Sequence, residues 1–275
     1  MITSSGRFLG GKRSPTDRRD HIYAERPMLS LLGTPPPSRV DRRLTSNFPQ
    51  AFNQLSLGSC TANAGAGKLA ELFPGFMASR LAAYYNGRWI EGTTAKDAGI
   101  YTRDLMKVLQ AGVIPESEWP YDISRFAEAP PKPDLNMKAI QTYSALTDQD
   151  SFVDYIANEG SAIFSIEVPE ALDEPFVAQT GILLPASNPS IVAAHCVLGP
   201  GYDLNFLASP EFIASGASPI GLPNEWALVR NSWGADWGLA GYFWLPMSWV
   251  LDPSTGNDAW GAHQAAVPEV AGVPV

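Results

Sequence analysis

The sequence contains only two cysteines in 275 residues, Cys60 and Cys196. Two cysteines are too few for a disulfide framework, and the absence of a Cys-x-x-Cys pair argues against structural zinc, so we expect no metal or other cofactor. No apolar run reaches the length of about 18 residues that a membrane span needs. Residues 1–12 contain no apolar stretch followed by a small-residue cleavage site. We therefore expect no secretory signal, no membrane partner and a reducing, cytoplasmic location.

Charged residues are also scarce, at 17%, whereas hydrophobic residues make up 45% and supply ample material for a packed core. The 24 prolines and 24 glycines favour a loop-rich fold over a helix bundle. Charge is unevenly placed: residues 1–46 hold nine Lys/Arg and four Asp/Glu, a balance of +5, and the remainder holds ten and 24, a balance of −14. A basic arm on an acidic body favours docking of one on the other, although a solvated polar tail fits the charges equally well. Because the acidic body repels phosphates, nucleic acid is not expected as a partner.

Helical patterns precede strand patterns along the chain. Apolar periodicity and stop signals predict helices over 60–73, 79–89, 101–110 and 148–158. Short β-branched or aromatic runs predict strands over 161–168, 193–198, 226–231 and 241–245. This order predicts an α+β fold with two lobes. We assign a basic N-terminal arm to 1–46, a helical lobe to 47–145, a β lobe to 146–251 and a tail without periodicity to 252–275.

Cys60 stands at a predicted helix start. Unpaired N–H groups and the helix dipole at such a position stabilise a thiolate, which is the nucleophilic form of cysteine. Ser59 is positioned to cap this helix, and Gly58 would allow a substrate to approach closely. A lone cysteine is more often a small core residue, and Cys196 is interpreted in that way. Cys196 adjoins His195 on a predicted strand, so their side chains point to opposite faces.

Three further residues supply what a thiol nucleophile requires. The side-chain amide of Gln54, six residues before Cys60, could donate to an oxyanion together with the backbone N–H of Cys60. His195 could take the thiol proton and later protonate a leaving amine. Asn231 could orient the imidazole through its amide oxygen, with Trp233 shielding that hydrogen bond from water. We predict that Cys60, His195, Asn231 and Gln54 are catalytic.

These motifs resemble the papain family of cysteine peptidases. The resemblance rests on Gln54, the run from Gly58 to Cys60, His195, and the Asn-Ser-Trp-Gly block at 231–234, followed by Trp-Gly and Gly-Tyr pairs. His195 lies 135 residues after Cys60 and Asn231 lies 171 after it, against about 130–150 in the family. A Pro/Gly/Ala-rich segment at 203–225 is interpreted as the insertion that accounts for the excess.

The resemblance implies a helical lobe and an antiparallel, barrel-like β lobe that meet at a cleft, with peptide bonds cut through an acyl-enzyme. It also implies that Ala98 and Gly99 pair with the substrate backbone, so the predicted substrate-binding residues are Gly58, Ala98, Gly99 and Trp233. Thr61 and Ala194 are not the residues usual at these positions of the family. The disulfide cysteine that usually stands near the nucleophile is missing. In these features the sequence resembles the bacterial and viral branches of the family.

Other functions fit parts of the pattern. A structural or assembly protein, such as a component of a phage particle, could retain a papain-like body and form homo- or hetero-assemblies. A cell-wall amidase or another thiol acyl transferase is disfavoured by Gln54 and by the Asn-Ser-Trp-Gly block. The leading prediction is a thiol peptidase that acts on polypeptides. The basic arm is expected to lie along the body, and the further hypothesis is that it covers the cleft as an inhibitor. No role is assigned to His21 or His263.

Overall fold

The computed structural model describes residues 1–23, 35–45, 48–132, 136–186, 188–252, 254–255 and 258–264. Parts of the predicted arm and of the predicted tail, including 265–275, lie outside these ranges. In the described residues the helices are α1 (Cys60–Leu72), α2 (Arg80–Ile90), α3 (Thr102–Ala111), α4 (Gln149–Asn158), α5 (Pro175–Thr180), α6 (Pro210–Ser215) and α7 (Met247–Leu251). The strands are β1 (Gly11–Lys12), β2 (Arg39–Asp41), β3 (Ile100–Tyr101), β4 (Thr142–Leu146), β5 (Ala162–Pro169), β6 (Ile191–Asp203), β7 (Trp226–Arg230), β8 (Tyr242–Pro246) and β9 (Asp258–His263).

Strands β4 to β9 form an antiparallel sheet in the order β4-β9-β5-β6-β7-β8, which β2 joins by pairing with β6. The path has two ends among the described strands, so the β lobe is an open sheet and not a closed barrel. Strand β6 is the long central member and carries His195. Strands β1 and β3 form a separate, parallel pair. The predicted two-lobe α+β fold is confirmed.

Helix α1 lies at the junction of the lobes. It is rich in Ala and Gly, and all of its residues from Cys60 to Ala70 are buried. These small side chains allow the helix to approach β6 closely while α2 and α3 pack around it. On β6, Cys196 and Leu198 belong to the helical core, whereas Val197 belongs to the core of the β lobe. This period of two places Cys196 on the face opposite Val197.

The four predicted helices are confirmed, and none of their ends shifts by more than one residue. Ser79 caps α2 by accepting from the N–H of Ala82, and Asp148 forms a capping box with Ser151 at α4. Ser59 holds the N-cap position of α1, but its side chain makes no capping hydrogen bond. The capping role predicted for Ser59 is therefore wrong, since its hydroxyl is bonded elsewhere.

Two predicted boundaries are also wrong. Residues 258–263, which the sequence places in an irregular tail, form β9, a fully buried strand between β4 and β5. Its sequence, DAWGAH, contains none of the β-branched residues by which the other strands are predicted. The boundary at 145 falls inside β4, which belongs to the sheet. The predicted arm is not one unit either, because its residues 39–41 pair with β6 as part of the sheet.

Candidate active site

Cys60 begins α1 at the line where the helical lobe meets the sheet, and its side chain is fully buried. The backbone N–H of Cys196 donates to its sulfur at 3.5 Å. The hydroxyl of Thr61 lies 3.9 Å from the same sulfur. Donors around a sulfur at a helix N-terminus stabilise negative charge on it. The position therefore suits a thiolate.

His195 and Asn231 meet across two neighbouring strands. His195 projects from β6, and Asn231 follows the last residue of β7. The ring atom Nε2 of His195 lies 2.8 Å from Oδ1 of Asn231. The ring of Trp233 lies 5.4 Å from the imidazole, centroid to centroid, and only 3% of Trp233 is exposed. The hydrogen bond between His195 and Asn231 is thus screened from water.

The second ring nitrogen of His195, Nδ1, is buried and makes no hydrogen bond of ordinary geometry within the described residues. It is the nitrogen left to interact with Cys60. Burial raises the pKa of the Cys60 thiol, but the charge and hydrogen bonding of His195 outweigh burial, so the net pKa is lowered. Burial lowers the pKa of His195, but the Cys60 thiolate and Asn231 outweigh it, so that pKa is raised. Both directions favour a thiolate–imidazolium pair.

The other buried thiol has the opposite character. Burial, and then the charge on Cys60, raise the pKa of Cys196 well above its ordinary value. Both cysteines are free. A thiol with a raised pKa is a poor nucleophile at neutral pH. Of the two cysteines, only Cys60 has the surroundings of a reactive one.

Gln54 presents its side-chain amide to the cleft. Its Nε2 donates to the backbone carbonyl of Phe8 at 3.1 Å and to that of Leu57 at 2.8 Å. Its Oε1 accepts from the hydroxyl of Ser232 at 2.5 Å, which fixes which end of the amide faces the cleft. A carbonyl oxygen of the chain itself therefore occupies a position where an amide donor could stabilise an oxyanion.

The segment from residue 7 to residue 12, called here the cleft segment, lies against the backbone of Gly58, two residues before Cys60, and against the backbone of His195 and Cys196. A Cβ on Gly10 would lie 1.9 Å from the carbonyl oxygen of Gly58, and a Cβ on Gly11 would lie 2.8 Å from Cα of His195. Only glycine fits at these two positions. The backbone N–H of Gly10 also acts on the sulfur of Cys60 and helps to lower its pKa.

The predicted substrate-binding residues are largely gathered around this segment. Gly99, at φ +67°, faces Gly10 so closely that a Cβ would lie 1.9 Å from the Gly10 carbonyl oxygen. Trp233 receives the guanidinium of Arg7 at 5.9 Å from its ring centroid. Ala98 is half-buried next to Gly99, and no hydrogen bond ties it to the described part of the arm.

The N-terminal residues dock on the body through polar contacts within the cleft segment and on both sides of it. Ser5 donates to Asp173 through both its N–H and its hydroxyl, at 2.6 and 2.5 Å. Lys12 pairs with Glu91 at 2.6 Å. Arg103 of the body pairs with Asp20 of the arm at 2.5 Å. The expected pairing of a basic arm with an acidic body is therefore only part of the attachment. In this last ion pair the arm supplies the negative charge and the body supplies the positive one.

Sequence reasoning missed Tyr121. Its hydroxyl lies 2.5 Å from the hydroxyl of Ser59 and donates to the backbone carbonyl of Gln54 at 2.9 Å. It thereby connects the segment that carries the amide donor to the residue before Cys60. The sequence around Tyr121 indicates only a turn, and no spacing relates it to Cys60.

The described residues contain no group of three or more His, Cys, Asp or Glu side chains that could hold a metal ion. No helix among them is long and apolar enough to cross a membrane. What the site brings together is a thiol, an imidazole, an amide that orients the imidazole, and an amide donor beside a carbonyl. This arrangement can attack an acyl carbon and stabilise the resulting oxyanion.

Comparison with known proteins points to the same chemistry. The model of the papain family cysteine proteases matches residues 36–250. An uncharacterized peptidase C1-like protein of Acanthamoeba polyphaga mimivirus is 30% identical over 251 residues, covering 83% of this chain and 75% of that protein.

Two solved structures resemble the fold. Xylellain, a cysteine protease from Xylella fastidiosa, matches with a TM-score of 0.73 and 29% identity over 94% of this chain and 96% of that one. Digestive procathepsin L 3 of Tenebrio molitor matches with a TM-score of 0.65 over 91% of this chain and 76% of that one. Because its identity is 18%, that second match bears on the fold alone.

Proposed function

The chain belongs to the papain family of cysteine proteases, and on that premise we propose that Cys60, His195, Asn231 and Gln54 are the groups that carry its reaction. The protein is a thiol peptidase whose substrates are polypeptides. Cys60 attacks the carbonyl carbon as a thiolate. His195 then protonates the leaving amine and afterwards accepts a proton from the water that hydrolyses the thioester. Asn231 orients the imidazole throughout.

The observation that supports these roles most strongly is the opposite perturbation of the Cys60 and His195 pKa values. A lowered thiol pKa beside a raised imidazole pKa favours an ion pair, whereas the pKa of the other buried thiol, Cys196, is raised. Gln54 and the backbone N–H of Cys60 supply the donors for the oxyanion. Removing one such donor typically lowers kcat by about 100-fold or more.

Substitution tests these roles. Cys60→Ala and His195→Ala should abolish hydrolysis of a fluorogenic peptide, whereas Cys196→Ala retains its backbone N–H and should retain activity. Gln54→Ala should lower kcat with little change in KM, since its donor acts on the oxyanion. Hydrolysis of the peptide by the Cys60→Ala protein would refute the assignment.

The second part of the proposal concerns the arm. The cleft segment lies over the nucleophile, with the backbone N–H of Gly10 at the sulfur of Cys60 and the carbonyl of Phe8 at the amide of Gln54. A substrate needs the same space, so an attached arm and a bound substrate exclude each other. We propose that residues 1–13 inhibit the enzyme until they are displaced or removed.

A truncation tests inhibition by the arm. Deletion of residues 1–13 removes the cleft segment and leaves Arg39, which pairs with Asp203 and Glu211, in place. Turnover of a small peptide should rise in the truncated protein. A folded truncation with unchanged turnover would exclude inhibition by the arm but would leave the catalytic assignment intact.

A further inference from the structure

Glu91 lies at the end of α2 beside the arm, and each oxygen of its carboxylate accepts a hydrogen bond. Oε1 accepts the backbone N–H of Tyr101 at 2.7 Å. Oε2 accepts from the ammonium group of Lys12 at 2.6 Å. Only 7% of the Glu91 side chain is exposed. The backbone contact fixes the carboxylate, so it presents one oxygen in a defined position at the cleft.

Tyr101 completes the surroundings of the ammonium group. Nζ of Lys12 lies 5.1 Å from the centroid of the Tyr101 ring. A carboxylate oxygen together with an aromatic face is a favourable environment for a cation. Lys12 is thus held by a site built from the body.

This site lies on the edge that holds the arm in the cleft. Gly11 pairs with Ile100, and Lys12 pairs with Tyr101. Strand β3 has no pairing partner other than β1 among the described strands. When the arm leaves, the edge of β3 can accept another extended peptide as an added strand.

Whether that peptide runs parallel or antiparallel to β3 does not change which of its side chains faces Glu91. Side chains of directly opposed residues lie on the same face of a pair of strands. A substrate residue opposite Tyr101 would therefore project its side chain toward Glu91, as Lys12 does. With a neutral side chain there, the carboxylate would lose its cation while remaining largely buried, which is costly.

We propose that Glu91 and the ring of Tyr101 form a substrate subsite for a lysine or arginine side chain, and that Lys12 occupies it in this structure. The substrates selected are polypeptides with a basic residue at the position that pairs with Tyr101. This proposal rests on the proposed function. It adds a preference that the catalytic residues do not determine.

The first test measures peptide hydrolysis by the full chain carrying Gly11→Ala and Lys12→Ala. The second of these substitutions removes the ammonium group that occupies the subsite. The substrates are peptides in which lysine is moved through the positions on either side of the cut, each compared with its norleucine counterpart. One lysine position should raise kcat/KM by roughly tenfold, the usual scale for a hydrogen bond between charged groups. Adding Glu91→Gln should abolish that preference, whereas Glu128→Gln, at an exposed ion pair, should leave it unchanged. Absence of any lysine preference, or a preference that survives Glu91→Gln, would overturn the proposal.

A binding measurement separates this proposal from the catalytic one. In the same full chain made inactive by Cys60→Ser, the lysine peptide should bind roughly tenfold more tightly than the norleucine peptide, and Glu91→Gln should make the two affinities equal. Equal affinities with Glu91 present would refute the subsite. Failure of the active form to cleave any peptide would instead contradict the proposed catalytic function, and the binding comparison would still decide the role of Glu91.

Discussion

Alanine in place of Gly10 or Gly11 should expel the arm from the cleft. A Cβ at residue 10 would lie 1.9 Å from the carbonyl oxygen of Gly58, and one at residue 11 would lie 2.6 Å from the backbone nitrogen of Cys196. In both cases the obstructing atoms belong to the backbone of the body. Backbone held by a helix start or by a central strand moves less readily than a flexible side chain.

The size of the effect follows from these distances. Overpacking a close-fitting site costs about 1–3 kcal/mol, and Gly10→Ala should reach the upper end because its contact is the shorter. The ion pairs that hold the arm contribute on the order of 1 kcal/mol or less each where they are exposed to solvent. A loss of about 3 kcal/mol shifts the ratio of closed to open chains by roughly 100-fold. The effect of Gly11→Ala should be smaller but in the same direction.

The rate at which a small thiol reagent modifies Cys60, followed by intact mass, measures the open fraction. Gly10→Ala should raise this rate by about 100-fold and Gly11→Ala by less, up to the limit set by a fully open cleft. Ile22→Ala serves as the control, since Ile22 belongs to the arm and is 65% exposed. Unchanged rates in folded Gly10→Ala and Gly11→Ala proteins would refute the reasoning.

Three further predictions concern the site and its support. Asn231→Ala removes a hydrogen bond that raises the pKa of His195, so the alkaline limb of the pH profile of kcat/KM should move to lower pH. Tyr121→Phe removes the hydroxyl that connects the oxyanion donor to the nucleophile's helix, and kcat should fall by roughly fivefold to tenfold with KM unchanged, as for the loss of one hydrogen bond. Glu71→Gln leaves the buried ammonium of Lys68 without its countercharge, and thermal unfolding should show a loss of about 3 kcal/mol, or roughly 6–12 °C in Tm.

The predictions for Tyr121 and Glu71 each have a matched control. Tyr85→Phe, on α2, should leave kcat unchanged, and Glu128→Gln, at an exposed ion pair, should change Tm little. An alkaline limb that does not move in Asn231→Ala would contradict the role given to the amide. A fall in kcat for Tyr85→Phe equal to that for Tyr121→Phe would show a general loss of packing instead of a lost hydrogen bond.

The sequence predicts the elements that have a distinctive composition or clear start and stop signals. Helix α1 begins at Cys60 as expected, and the strands that hold His195 and precede Asn231 are found where β-branched and aromatic residues cluster. Strand β9 escaped prediction because its sequence, DAWGAH, contains no β-branched residue and is rich in Ala, Gly and Asp, which are depleted in strands. Its place beside β5 depends on contacts between distant parts of the chain.

Local motifs identify the chemical groups of the site, but long-range contacts determine its support and its occupancy. Tyr121 and Ser232 position Gln54 from segments that lie far from it in sequence. The charge of the arm predicts docking, yet only the fold shows that Gly10 and Gly11 fit closely against the backbone of Gly58 and of His195. A pair of glycines has too many other uses for sequence alone to reveal this one.

The most direct test of the account is the intact mass of the Gly10→Ala protein after treatment with a peptidyl epoxysuccinyl inhibitor, compared with the same protein carrying Cys60→Ser or Cys196→Ser. The account predicts a single adduct that is lost with Cys60→Ser and retained with Cys196→Ser. An adduct that persists in Cys60→Ser, or no adduct on a folded protein whose cleft is open, would contradict the claim that Cys60 is the activated nucleophile.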